Sequence, residues 1–502
     1  MPLDESRIPV VISTGQSIER ASTVSALELA ERAAEQCLAA VPGIRSRVQQ
    51  VSVVNIMSKA SDSPATFLAR RLGLAPARTE VTTIGGNSPQ WLISRAADAI
   101  AAGDLSAALV VGAEAQHSAK AQALQAPSPR RGADPHPTDD TVEPVEALAP
   151  DPVVGDDRIG VGAAELAVGL VTPVHVYALF ESVIAARAGR TPAQQRAALG
   201  PLMSRFTEVA ATHPVAWFGD RRSAAELATV TPDNRLVAEP YPKRMCAFLH
   251  VNQGAAVLVT SLAAARAAGV ADGAVFCWSG ADATDVWFPS ARPDLGSSAG
   301  LRAAASAATA AADLGIDDIG VFDLYSCFPC AVEMAIEALG VAPDDARGLT
   351  VTGGLPYFGG PGNNYSLHAV ATMVDHLRRH GGTGLVSAMG WYATKHAVGV
   401  YGTDPPSRGW RRGETGDAQR QIDASAITVA TEAQGPAVVV AATVACGPDG
   451  SVSAAPVIAR LPDGSQIAAA AEPAQLAALA GRDLVGHRIE VSGSPPRYRL
   501  AD

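Results

Sequence analysis

Positive charge is in short supply in this 502-residue chain. Its formal net charge is −11, and charged residues make up only 18% of it. A pI near 5.4 excludes a dominant electrostatic attraction to nucleic-acid phosphates or to an anionic membrane, so small-molecule chemistry is the expectation. Long apolar runs are missing as well. No window approaches the roughly 18 uninterrupted apolar residues of a membrane span, so none is expected. The first stretch, MPLDESRIPVVIS, lacks a basic region followed by an apolar core of signal-peptide length. Six cysteines scattered over the chain do not make a disulfide framework, which agrees with a reducing compartment and an expected cytoplasmic location. Aromatics are only 5% while alanine and glycine are heavily used, which indicates helices packed closely on a sheet.

What is present alternates. Short β-branched runs at 9–12, 51–56 and 107–111 are separated by alanine-rich helical runs at about 23–40, 64–72 and 89–102. This pattern predicts βαβ units, an α/β fold and a largely parallel sheet. The third helix is punctuated by Ser88 as N-cap, Pro89 at its first position and Gly103 at its end. From about 115 to 160 the chain turns polar and proline-rich, which reads as an exposed loop, and a mainly helical section follows to about 235. Apolar sequence returns at 252–261, and strands at 273–277, 319–323 and 384–388 restart the alternation. Two similar halves with an insertion in the first are therefore expected, with residues 1–115 and 246–262 forming one half, 116–245 the inserted loop domain and 263–410 the other half. In 411–502, short runs such as 437–444 and 452–458, set between Pro-Asp-Gly turns, predict a small all-β domain. Turn chemistry leaves open whether this is a barrel of the oligonucleotide/oligosaccharide-binding shape or a sandwich.

Several motifs stand in a fixed order. Val81-Thr-Thr-Ile-Gly85-Gly-Asn-Ser-Pro-Gln90, followed by a helix and the strand-like 107–114, resembles the nucleophile segment of thiolases, V-N-x-x-C-x-S-G-x-Q, with Gly85 at the cysteine position. Asn252-Gln-Gly-Ala-Ala resembles the family's N-D-G-A-A strand. Asp323-Leu-Tyr-Ser-Cys-Phe328 resembles the H-D-C-F segment of sterol-carrier-type thiolases, with Tyr325 at the histidine and Ser326 at the aspartate. Gly353-Gly-Leu-Pro-Tyr-Phe-Gly-Gly-Pro361 resembles G-G-x-x-x-x-G-H-P, with Gly360 in place of the activating histidine. Ala388-Met-Gly390 aligns with the C-x-G element. The resemblance covers roughly residues 8–405. It implies a thiolase-like fold of the type that carries an extra C-terminal domain, an acyl-CoA ligand or substrate, and at least a dimer, because thiolases build part of their sites across a two-fold interface. Claisen-type acyl transfer passes through a covalent thioester, and glycine has no atom to form one, so conventional thiolase activity is not expected.

Residues that keep some chemistry are few. His396 follows the former C-x-G element and is either a proton carrier or a hydrogen-bonded structural histidine. Tyr325 and Tyr357 lie where catalytic loops would be, and either could equally be a core tyrosine with its hydroxyl satisfied. Cys327 and Cys330 form a Cys-Phe-Pro-Cys pair, which has a redox reading, but Cys327 is also the cysteine of the H-D-C-F segment. No cysteine or histidine spacing makes a convincing metal site. Gly85 and Gly86, and Gly353 and Gly354 with Gly360, place backbone amides near helix starts, where they are candidates for holding a CoA thioester; the bland alternative is ordinary tight turns. Three functions follow as expectations. The protein is an acyl-CoA-binding member of the superfamily, a retro-aldolase acting on β-hydroxyacyl-CoA, as in steroid side-chain degradation, or a non-catalytic assembly subunit.

Overall fold

Helix punctuation and small residues set the local structure. The computed structural model describes residues 3–58, 61–125 and 148–501. The expected loop residues 126–147 lie outside them. Strand β1 (Pro9–Ile18) leads into helix α1 (Ala26–Ala39), which opens on a capping box of Ser25 and Glu28. Leu29, Ala30, Ala33, Ala34, Cys37 and Leu38 form the buried face of α1, and its alanines let the helix lie close over the sheet. Next come β2 (Gln50–Val53), α2 (Pro64–Arg71), β3 (Arg78–Thr82), α3 (Ser88–Ala102) and β4 (Ala107–Ala115). Helix α3 ends as expected at Gly103, whose φ of +84° is the left-handed C-cap conformation that favours glycine. Its N-cap is Asn87, one residue before the expected Ser88, because the chain already turns at Gly85, whose carbonyl accepts the Ser88 N–H at 3.0 Å.

Both halves of the sheet repeat one pattern. In the first, β3, β2 and β4 run parallel, β4 pairs antiparallel with the strand Asn252–Ser261, and that strand pairs antiparallel with β1. In the second, Val321–Asp323 runs parallel to Thr383–Gly390, which pairs antiparallel with Lys395–Gly402, itself antiparallel to Val275–Thr284. The halves join through the pairs Val10–Phe276 and Val11–Val275. The expectation of a largely parallel sheet is thus corrected to a mixed one. Strand and helix alternate with parallel crossovers only until β4, after which the chain re-enters the sheet running the other way. The stretch read as loop from about 115 also differs. Gln116–Gln125 is helical, and Val153–Val154 adds a parallel strand outside β3.

Five strands of the tail close on themselves. Gly435–Ala442 pairs with Val457–Arg460 and Arg488–Ser492, Val457–Arg460 with Gln466–Ala471, and Arg488–Ser492 with Arg497–Leu500. Ala470 and Ala471 pair with Arg497 and Tyr498, which closes the ring and makes this region a barrel. Val439, Ile467, Ile489 and Tyr498 fill its interior. The barrel region docks on the helix Pro173–Arg187, where the Ser182 hydroxyl accepts the Ala442 N–H at 3.0 Å.

Candidate active site

The motif segments, far apart in sequence, converge at the start of α3. The Gly85 N–H donates to Asn363 Oδ1 at 2.9 Å, and Ser366 Oγ donates to the Gly86 carbonyl at 2.6 Å. Asn363 Nδ2 in turn donates to the Asn55 carbonyl at 3.1 Å, which ties the loop after β2 to the same point. A side chain at Gly86 would strike the Tyr325 hydroxyl and the Met389 carbonyl, and one at Gly390 would approach the Gly85 Cα to 3.1 Å. Gly85, Gly86, Tyr325, Met389 and Gly390 are therefore brought together.

Of the remaining expected residues, His396 lines a cavity together with Asn87 and Lys395 but its ring is bound up, and the others are held by packing or internal hydrogen bonds. His396 Nε2 lies 2.9 Å from Asp285 Oδ2, 3.1 Å from Ser298 Oγ and 3.1 Å from the Ala393 carbonyl, while its Nδ1 is buried without a partner. Burial pushes the Asp285 carboxyl up, but the His396 ring and the Arg292 guanidinium outweigh this and hold it below the ordinary range. Tyr357 is buried with its hydroxyl unpartnered, and its carbonyl accepts from Phe218 N–H at 3.2 Å. Gly353 and Gly354 face the helix Pro192–Ala210. A Cβ on Gly353 would sit 2.5 Å from the Ala210 nitrogen, and one on Gly354 2.7 Å from Phe206 Cδ1. The Gly353 amide is already spent on Thr350 Oγ1 at 2.9 Å, and that of Gly360 on the Phe248 carbonyl at 2.8 Å.

Electrostatics separate donors from bases. Tyr325 is 7% exposed, and burial raises its phenol far above the ordinary value, so it is a hydrogen-bond donor and not a base at neutral pH. Burial likewise pushes the Cys327 thiol up to about 12 and that of Cys330 well above its usual value, so neither is a thiolate at neutral pH.

One polar residue at the site went unread in the sequence. Lys395 neighbours His396 on the strand Lys395–Gly402, and successive side chains on a strand point to opposite faces. His396 therefore goes to Asp285, while Lys395 Nζ donates to the Ile84 carbonyl at 2.7 Å and the Asp156 carbonyl at 3.2 Å. A Cβ on Gly85 would stand 3.0 Å from Lys395 Cε and 3.1 Å from its Nζ. The available signal was a lysine set directly before the largely apolar strand-like run 397–401, where a charged side chain is unexpected. Asn87 is another unread group, its Oδ1 buried without a partner beside Gly85 and Gly390.

No family model matches the chain, and no curated protein matches it. Among solved structures it is similar to a monomeric SCP2-thiolase-like protein type 1 from Mycobacterium smegmatis, at 31% identity over 99% of both chains with a TM-score of 0.82. An Ltp2-ChsH2(DUF35) aldolase is 17% identical, with 80% of this chain and 98% of that one covered at a TM-score of 0.58. Human mitochondrial 3-ketoacyl-CoA thiolase is 16% identical, with coverages of 80% and 100% and a TM-score of 0.58. These last two share the fold. The fold is that of the thiolase superfamily. Within it, the chain belongs to the SCP2-thiolase-like proteins.

Proposed function

We propose that the protein binds a CoA thioester where the Gly85–Gly86 loop meets residues 359–366, and that it does not perform conventional thiolase chemistry. The observation that carries this reading is the mismatch at the loop junction. A polar atom is buried there without a partner, namely Asn87 Oδ1, while position 85 offers no sulfur. A buried, unpaired polar atom costs roughly 1–3 kcal/mol, a cost that a ligand with complementary groups removes. Gly353, Gly354 and Gly360 are not part of the ligand contact in this reading, because packing and internal hydrogen bonds already use them. Calorimetry with CoA and acetyl-CoA is the test. Measurable heat supports the reading, and no heat or thermal shift at millimolar ligand moves the assembly-subunit function to first place. Intact-mass measurement after acetyl-CoA is expected to show no acetyl adduct in the Gly85 loop.

A retro-aldol reaction on a β-hydroxyacyl-CoA is the second reading, favoured by the Tyr325 hydroxyl against Gly86. An un-ionised phenol there can donate to the oxygen on which enolate charge develops, and no covalent step is required. No hydrogen bond links His396 or Tyr357 to Tyr325 among the described residues, so neither joins it in this proposal.

A single chain, not the expected dimer, is the proposed assembly. The outer edge of β3 is covered by Val153–Val154, which removes a ready surface for extending the sheet into a second copy, and the 31% identical relative is described as monomeric. Light scattering coupled to gel filtration decides between the two. No described helix is long and apolar enough to cross a membrane, and a cytoplasmic location remains part of the proposal.

A further inference from the structure

The chain has four lysines, Lys59, Lys120, Lys243 and Lys395. Lys120 and Lys243 are exposed, whereas Lys395 is 5% exposed. A buried ammonium ordinarily has a carboxylate partner, because leaving it unpaired costs several kcal/mol. Lys395 has none among the described residues. Asp156 offers it only a backbone carbonyl, since the Asp156 carboxylate is gripped by Arg158 Nε at 3.0 Å and Nη2 at 2.6 Å. Two backbone carbonyls take two of the three ammonium hydrogens, and burial together with the nearby Arg158 charge outweighs the Asp156 charge and lowers the pKa of the amine. The end of the side chain is also reachable. Lys395 lines a cavity of about 390 Å³ with Thr83, Asn87, Trp91, Asp156 and Gln419, room for a short acyl chain but not for a whole CoA.

Glycine at 85 completes the geometry. Any side chain there would begin within 3.1 Å of Nζ and would collide with the Asn87 amide. The position that resembles the nucleophile's in thiolases is thus emptied of its own side chain, and the space beside it is filled by an amine.

We propose that Lys395 captures the keto carbonyl of a short β-oxo acyl ligand as a Schiff base, acting as a nucleophile brought in from a neighbouring strand. The lone pair of the neutral amine forms the C–N bond while the carbonyl π pair moves to oxygen. That oxygen gains a proton as the nitrogen loses one, giving a carbinolamine. Loss of the hydroxyl as water, with the remaining N–H proton, leaves the C=N bond. Asn87 Oδ1, buried and unpartnered, is placed to accept a hydrogen bond from the carbinolamine. The thioester form of this ligand rests on the CoA-binding reading above, whereas capture of the free β-oxo acid does not.

The test uses the full chain with acetoacetyl-CoA and, separately, acetoacetate, each with sodium cyanoborohydride, followed by peptide mapping. Hydride addition to the imine carbon fixes the adduct, whose mass gain is that of the ligand plus two hydrogens less one water, and less one carbon dioxide as well where the acetoacetate imine decarboxylates before it is reduced. The expected result is an adduct on Lys395 that saturates with ligand concentration, while exposed Lys120 and Lys243 label slowly and without saturation. No adduct on Lys395, labelling of the exposed lysines alone, or a mass gain that forms without the reductant, which would be an amide from thioester aminolysis, overturns the inference. Lys395→Arg keeps the hydrogen bonds but cannot form an imine, and is expected to lose the adduct. Mapping on the parent protein decides the question whether or not that variant folds. CoA heat without Lys395 labelling would reject the inference and leave the binding reading standing. Labelling by acetoacetate without CoA heat would do the reverse.

Discussion

Two glycine pairs that look alike in sequence have opposite surroundings. Around Gly85–Gly86 the neighbours are functional groups, namely the Lys395 amine, the Asn87 amide and the Tyr325 hydroxyl. Around Gly353–Gly354 they are the backbone of Ala210 and the ring of Phe206, with a single hydroxyl, Ser326 Oγ, so the second pair is mainly where the helix Pro192–Ala210 presses onto the loop. The first absence of side chains leaves room for chemistry, and the second leaves room for packing. A glycine pair at a strand-to-helix turn is thus not by itself evidence of a binding site. What lies within a bond length or two of the missing Cβ decides.

The largest effect that would sharpen this contrast is on turnover. Tyr325→Phe removes only a hydroxyl over the first pair, and on β-hydroxyacyl-CoA esters that the parent cleaves, the rate is expected to fall by about two to four orders of magnitude. Tyr357→Phe, altering the loop of the second pair, should leave the rate nearly unchanged. Equal losses would place chemistry at both pairs and break the comparison.

Stability should rank the pairs the other way. Gly353→Ala puts a Cβ against backbone that cannot yield, at a φ of +105° that L residues avoid. Its cost is expected to be about 2–5 kcal/mol in denaturant unfolding, by strain and overpacking together. Gly85→Ala meets a lysine end and an amide that can shift, at a φ of +159° that L residues rarely adopt, so a smaller cost of about 1–3 kcal/mol is expected, with slowed cyanoborohydride labelling at Lys395. A similar cost at both positions would show that the first pair is packing as well.

The helix that seals the second pair also carries a pH-dependent load. Its Gln195 Nε2 donates to Glu181 Oε1 at 2.6 Å and to Glu333 Oε1 at 3.2 Å. Burial raises the pKa of both carboxyls, and for Glu333 the Glu181 charge adds to the rise. The folded protein therefore holds protons that the unfolded chain releases. The contribution of these groups is fully present below the ordinary glutamate value near 4.5 and is lost as pH rises toward the raised folded values. Glu333→Gln should thus be more stable than the parent by about 1 kcal/mol at pH 8, with the gain shrinking toward pH 4.5. Denaturant unfolding at the two pH values checks this, and a gain that grows on acidification would reject it.

Local signals carried much of the fold. Helix α3, with Pro89 inside its first turn and Gly103 past its end, and the strand Asn252–Ser261, with its apolar run at 255–259, were readable because punctuation and periodicity are properties of neighbouring residues. Strand direction was not local in that sense. That Asn252–Ser261 runs against β4, that Val153–Val154 joins β3, and that Ala470 meets Arg497 to close the barrel all depend on pairings between distant segments. The same boundary runs through the site. From the residues alone came the order of the motifs and the glycine at position 85, because identity at a position needs no third dimension. Only the tertiary structure could turn His396 toward Asp285 and its neighbour Lys395 toward Gly85, since the choice of face is made by what packs on each side of the sheet.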